Sequence, residues 1–168
     1  MNKIFRAAFA EKVKTGGILI VAEPGSTAEG RRDEFSLLID LAADIDCDVF
    51  KNQWVSDPHR LAQRRQAPEH ESAYQKIAYD AAMHGALAAE ARGRGLAYAC
   101  SVYLPEDVER LAPHCDLLKC ASFESGDPEM REALWPYREK TIVSLGMAWD
   151  LKNQKWSFAR LHCVSAYP

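Results

Sequence analysis

No stretch of the chain is long and apolar enough to cross a bilayer, since none approaches the ~20 residues a spanning helix needs. Nor does the N-terminus show an apolar segment followed by a cleavage site, so no export signal is read and a cytoplasmic location is expected. No Cys-x-x-Cys pair occurs. The five cysteines, Cys47, Cys100, Cys115, Cys120 and Cys163, are an odd number lying in or beside strand-like runs. That pattern excludes a zinc ribbon or a disulfide framework and reads as small, reduced core residues. Excess positive charge is missing too: 21 Lys and Arg face 24 Asp and Glu, a formal net charge of -3, which argues against a nucleic-acid surface. One short basic group, Arg60, Arg64 and Arg65, has Glu69 and Glu71 close behind it and reads as a solvated face. There is no internal repeat and no low-complexity segment.

What the chain does have is six short apolar runs, each ending in groups able to bind anions or carry protons. Ile18–Ala22 leads to Glu23, and Cys47–Phe50 to Lys51 and Gln53. Leu96–Cys100 leads to Ser101, Cys115–Leu118 to Lys119 and Ser122, and Thr141–Val143 to Ser144. The last run, Phe158–Cys163, gives way to Ser165, Tyr167 and Pro168. In a parallel (β/α) barrel the chemistry gathers at the carboxyl ends of the strands. Taken singly, Lys51 and Lys119 also suit solvated lysines, Ser122 and Ser144 suit helix caps, and Glu23 suits a surface carboxylate.

Between these runs the pattern is helical. Residues 2–14 carry Ile4, Phe5, Ala8, Phe9 and Val13 at positions able to share a face, stopped by Gly16-Gly17. Phe35, Leu38, Ile39 and Ala42 form one stripe. Trp54–Glu69 reads as a long loop with a helical turn near Arg60–Arg65. Ser72–Arg92 reads as one continuous alanine-rich helix closed by Gly93 and Gly95. Shorter helices are expected at Pro105–Leu111 and Pro128–Leu134, each opened by proline. Strands alternating with helices predict a parallel sheet. At 168 residues the chain is expected to be a single α/β domain, a partial (β/α) TIM-type barrel of about six of eight units. The link from Gly146 to Phe158 is short for a helical crossover and fits either a shortened crossover or a hairpin around Lys152–Lys155. Six strands leave an open edge. That implies a truncated chain, a partner supplying the rest, or an open sheet.

The succession of run ends resembles the sialic acid (N-acetylneuraminate) synthase family over Ile18–Pro168. Leu161–Pro168 matches the family's Leu-His-Cys-x-x-x-Tyr-Pro pattern. Val143–Met147 is similar to its Ser-Thr-Gly-Met, Lys119–Ser122 to Lys-Ile-Ala-Ser, Phe50–Gln53 to Val-Lys-Phe-Gln, and Ala22–Gly25 to Ala-Glu-Ile-Gly. The resemblance implies a carbon–carbon bond-forming transferase of carbohydrate biosynthesis that condenses phosphoenolpyruvate with an N-acyl amino sugar. By the same resemblance Lys119, Ser122, Ser144 and Ser165 hold the phosphate, and Lys51 and Ser101 the carboxylate. Glu23, Gln53, Glu124 and Tyr167 line the sugar side, with Glu23 and Glu124 as candidate proton carriers. A lysine point charge with converging hydroxyls is the chemistry a phosphate needs.

The departures from the family carry expectations of their own. The family's first-loop Asn-His-Asn-Gly is Thr27-Ala28-Glu29-Gly30 here, so amino-sugar specificity does not carry over. A divalent metal, Mn or Mg, is expected for the family, yet its two histidine ligands belong to strands after the sixth. His59, His70, His84, His114 and His162 form no pair at metal-ligand spacing, and His162, inside an apolar run, reads as a core histidine. The chain is thus expected to be truncated after the sixth strand and to lack the family's C-terminal domain. It is expected to act with a second copy or a partner chain completing the barrel, and to be inactive alone. The competing expectations are a non-catalytic anion- or sugar-binding or assembly partner, and a different phosphate-using barrel enzyme.

Overall fold

In the computed structural model, residues 9–12, 14–146 and 157–164 are described. Six strands, β1 (Val21–Gly25), β2 (Val49–Gln53), β3 (Ala97–Val102), β4 (Leu117–Cys120), β5 (Thr141–Leu145) and β6 (Ala159–His162), form one sheet. They lie in sequential order and every neighbouring pair is parallel. The helices lie in the connections: α1 (Arg32–Asp44), α2 (Pro58–Arg64), α3 (Glu71–Gln75), α4 (Met83–Gly93), α5 (Val108–Leu111) and α6 (Pro128–Leu134). This is the expected partial (β/α) barrel.

Strand alternation divides the side chains into two sets. Phe50, Tyr98, Cys100, Leu118, Cys120 and Val143 pack outward. They meet Phe35, Ile39 and Ala42 of α1, Leu87, Ala88 and Ala91 of α4, and Met130 and Leu134 of α6 in the main core. The residues between them point inward. At the amino ends, Val49, Ala97, Ala99 and Leu117 form a second apolar cluster with Leu19, Ile142 and the tilted pair Phe9–Phe158, whose rings are 4.9 Å apart. Two residues further along the same inward rows stand Lys51, Ser101, Lys119 and Ser144. The barrel interior is therefore greasy at one end and polar at the other.

The structure departs from the sequence reading in four places. Four of the first five strands begin one to three residues later than their apolar runs, and all five continue past them. Glu23, Lys51, Gln53, Ser101, Lys119 and Ser144 therefore lie within strands and not beyond them. All but Glu23, which lies on the edge strand β1, have sheet neighbours on both sides. The helix expected over Ser72–Arg92 is broken between α3 and α4. The carbonyl of Ile77 accepts from Val55 N at 3.2 Å, that of Tyr79 from Trp54 Nε1 at 2.8 Å, and Asp80 Oδ1 accepts from Ala82 N. Backbone groups engaged by the segment after β2 cannot also close helical turns. The long loop after β2 holds a capped helix: Asp57 accepts from Arg60 N at 2.9 Å and Pro58 takes the first helical position. Finally, β6 is largely exposed, and His162 with it, because no described strand covers its outer edge. The expected helix over residues 2–14 falls mostly outside the described residues, although 9–12 are helical. The crossover or hairpin after Gly146 falls on residues 147–156, also outside them. No described helix is long and apolar enough to cross a membrane.

Candidate functional site

At the carboxyl end of the sheet a cavity of about 730 Å3 opens. Its walls include Glu23 of β1, Gln53 of β2, Ser101 of β3, Lys119 of β4 and Ser144 of β5, with Ser122, Phe123 and Arg65 from the loops above. Register explains the convergence. Gln53 pairs with Ser101 and Ser101 with Lys119, so three inward side chains sit abreast.

Lys51 lies one layer deeper, with its ammonium at the cavity floor. Its Nζ is 2.6 Å from Glu23 Oε1 and donates to Ser101 Oγ at 3.1 Å, while Gln53 Nε2 donates to the same Glu23 oxygen at 2.7 Å. Burial works against ionisation of the Glu23 carboxyl, but Lys51 and Gln53 outweigh it and hold the group below its ordinary value. For Lys51 burial wins: the ammonium titrates below an ordinary lysine although Glu23 opposes the shift, and nearby Lys119 pushes the same way. Two cations, Lys51 on β2 and Lys119 on β4 with Ser101 of β3 between them, against the one Glu23 carboxylate leave this end of the site net positive.

Lys119 has no hydrogen-bond or ion-pair partner among the described residues. Neither hydroxyl of Ser122 or Ser144 is engaged there either, although Ser144 is buried. One ammonium and two hydroxyls without partners among the described residues therefore face a common space. Solvent-facing lysines need no partner, but a lysine aimed into a concave site with idle hydroxyls beside it is arranged for an anion.

Within the basic group of the loop after β2, Arg60 and Arg64 are exposed, as a solvated face requires, and Arg65 departs from that expectation. Arg64 pairs with Asp127 and Glu129, and Arg60 with Glu106. Arg65 is drawn inward: its side chain is 17% exposed and pairs with Glu124, itself 6% exposed, through Nε at 2.7 Å and also through Nη2. The guanidinium lies 5.3, 5.1 and 5.1 Å from the ring centres of Tyr74, Tyr103 and Phe123. Burial raises the Glu124 carboxyl above its ordinary value, and Arg65 offsets only part of that. Charge counting along the chain cannot find this residue. A lone arginine among scattered aromatic residues becomes a cage only when the loops after β2, β3 and β4 meet.

Of the residues read from the sequence, Glu23, Gln53, Ser101, Lys119, Ser122 and Ser144 share the cavity and Lys51 supports it from below. Glu124 stands behind Arg65 and does not line the cavity. Ser165 and Tyr167 lie outside the described residues. Among the described residues, no three His, Cys, Asp or Glu side chains are grouped to hold a metal ion.

Comparison with known proteins follows the same lines. No curated protein sequence matches the chain. The fold matches that of N-acetylneuraminic acid (sialic acid) synthetase from Leptospira borgpetersenii serovar Hardjo-bovis, solved with citrate, at a TM-score of 0.77 and 22% identity over 90% of this chain and 55% of that one. A Bacillus subtilis spore coat polysaccharide biosynthesis protein matches at 0.61 and 22% identity, over 77% of this chain and 36% of that one. A Chromobacterium violaceum protein ascribed to the same role matches at 0.74 and 18%, over 89% and 50%. The chain thus spans about half the length of these structures or less. The family model covers residues 38–168, from within α1 through β2 to β6 and so all the cavity-lining strands except β1, and by that match the chain belongs to the NeuB family.

Proposed function

We propose that this chain provides the phosphoenolpyruvate-binding half of a sialic acid synthase-like site, whose reaction joins that enol phosphate to an N-acyl amino sugar. The observation that carries the reading is the Lys119 ammonium, facing the hydroxyls of Ser122 and Ser144 with none of the three partnered among the described residues. These three would take the phosphate. Lys51 and Ser101, already 3.1 Å apart, would take the carboxylate, while Ser165 would join the phosphate group and Tyr167 the sugar side. Glu23 and Gln53, on the open side of Lys51, would face the acceptor, and Glu23 as an ionised carboxylate would accept a proton there. The family generally uses a divalent metal; the described residues offer it no ligand set, and none is assigned to it.

Calorimetric titration of phosphoenolpyruvate against the wild type and Lys119→Ala tests the reading. Saturable binding that weakens by about 1.5–3 kcal/mol in the variant supports it. Equal affinities, or no binding to the wild type, overturn it.

One observation favours a second reading, a non-catalytic protein that keeps the anion site. Glu124, a candidate proton carrier, is tied to Arg65 and is not among the residues lining the cavity. Metal-dependent phosphate release from phosphoenolpyruvate and an N-acyl hexosamine would exclude it. Binding without any turnover would favour it.

A further inference from the structure

A second, smaller cavity of about 200 Å3 branches from the first, and the two share Gln53, Arg65 and Tyr103 in their walls. Its floor is apolar, made by Leu61 of α2 and Ile77, with Ala73 of α3 at its exposed rim, and the Tyr74 and Tyr103 rings flank it. Ser26 reaches its rim from the first loop, next to the residues that depart from the family pattern.

We propose that this side arm binds a neutral, apolar acyl substituent carried by the acceptor, larger than an acetyl group. The assignment to the acceptor rests on the reading under Proposed function; the side arm as an acyl site does not. Three observations converge on it. Arg65 brings no free charge to the arm, because Glu124 neutralises it and three aromatic rings surround the guanidinium. An anionic substituent would have to displace Glu124, and a cationic one would meet Arg65, so the arm favours a neutral group. Leu61, Ile77 and Tyr103 are buried and belong to one apolar cluster, so the floor is part of the packed core. The volume leaves room for about six non-hydrogen atoms at roughly 30 Å3 each. An acetyl group, with three, fills half of that and leaves apolar wall wet.

The test is methyl NMR on the full chain titrated with 3-methylbutanamide, a neutral amide of the proposed size. Saturable shifts at the Leu61, Ala73 and Ile77 methyls, weaker by about ten-fold with acetamide, support the site. Absent shifts, or shifts scattered over the surface, overturn it. Ala73→Phe, at an exposed position of α3, plugs the arm and abolishes the response; an undiminished response overturns the location. In a second arm, an N-(3-methylbutanoyl) hexosamine binds about ten-fold tighter than its N-acetyl counterpart in the presence of phosphoenolpyruvate, and equal affinities overturn the assignment to the acceptor. Phosphoenolpyruvate titrated alone reports on the main cavity, so failure of the anion site and failure of the side arm are told apart.

Discussion

Lys51 and Glu23 are locked together, Nζ 2.6 Å from Oε1, across adjacent parallel strands, and each sets the other's protonation. Burial lowers the Lys51 value while Glu23 raises it, so the carboxylate keeps a buried ammonium charged. If Lys51 helps hold an anion, affinity must fall on the alkaline side as the ammonium loses its proton. That fall is expected at a lower pH than for an ordinary lysine. In Glu23→Gln the supporting charge is gone, and the fall moves to lower pH still. Phosphoenolpyruvate affinity followed from pH 6 upward in both proteins checks this. An unmoved or upward-shifted limb in the variant removes Lys51 from the site.

The anion contacts should rank by charge. Ser122→Ala and Ser144→Ala each delete a neutral donor, expected to cost about 0.5–1.5 kcal/mol of phosphoenolpyruvate affinity, whereas Lys119→Ala deletes an ionic one at about 1.5–3 kcal/mol. Competition by inorganic phosphate should weaken in parallel across the three variants if they share one phosphate position. A serine variant whose loss matches that of Lys119→Ala would contradict this division of labour.

Behind the same strands a neutral histidine should make the fold acid-sensitive. Tyr98 Oη accepts from Asn52 Nδ2 at 3.1 Å, so its one proton goes to His84 Nδ1, 2.7 Å away. That arrangement needs Nδ1 unprotonated. Burial, with a smaller push from His114, lowers the His84 value to about 4. The folded form binds its proton later than the unfolded chain, whose histidine titrates near 6.5. Stability is thus full above about pH 6.5 and declines as pH falls toward 4, by on the order of 3 kcal/mol. Urea midpoints at pH 7 and pH 4 measure it. In His84→Met the midpoint at pH 7 drops, because Tyr98 loses its acceptor, and this part of the pH slope disappears.

The legible part of this chain is whatever repeats locally. Short apolar runs alternating with helical stripes are set by burial on each strand and helix, so six parallel strands in order can be read from periodicity. The polar ends of those runs mark the cavity because inward rows change from Val49, Ala99 and Leu117 to Lys51, Ser101 and Lys119 within two residues. What escapes such a reading depends on partners distant in sequence. The α3–α4 break exists because Trp54 and Val55 claim carbonyls of Tyr79 and Ile77. The inward turn of Arg65 needs Glu124, 59 residues away. Neither contact leaves a mark on composition.

The Arg65–Glu124 pair should also govern how stability varies with pH. Arg65→Met strands the Glu124 carboxylate, 6% exposed and with Oε2 already lacking a partner. Breaking one side of a buried pair typically costs about 3–5 kcal/mol, because the remaining charge is left uncompensated. The stranded carboxyl has an escape, which is to take a proton. Its folded value, already raised by burial, rises further once Arg65 is gone, while the unfolded chain still ionises near the ordinary value. The unfolded state then gains by releasing that proton as pH rises, so the cost of Arg65→Met grows from pH 5 to pH 8. Glu124→Gln costs less, since the arginine keeps its three aromatic rings and is closer to solvent. The double variant Arg65→Met/Glu124→Gln removes the stranded charge and is more stable than Arg65→Met alone at pH 8. Denaturant titrations of the four proteins at both pH values close the cycle. Additive losses with no pH dependence would mean that the pair is only a surface contact and that the aromatic residues alone hold the loop.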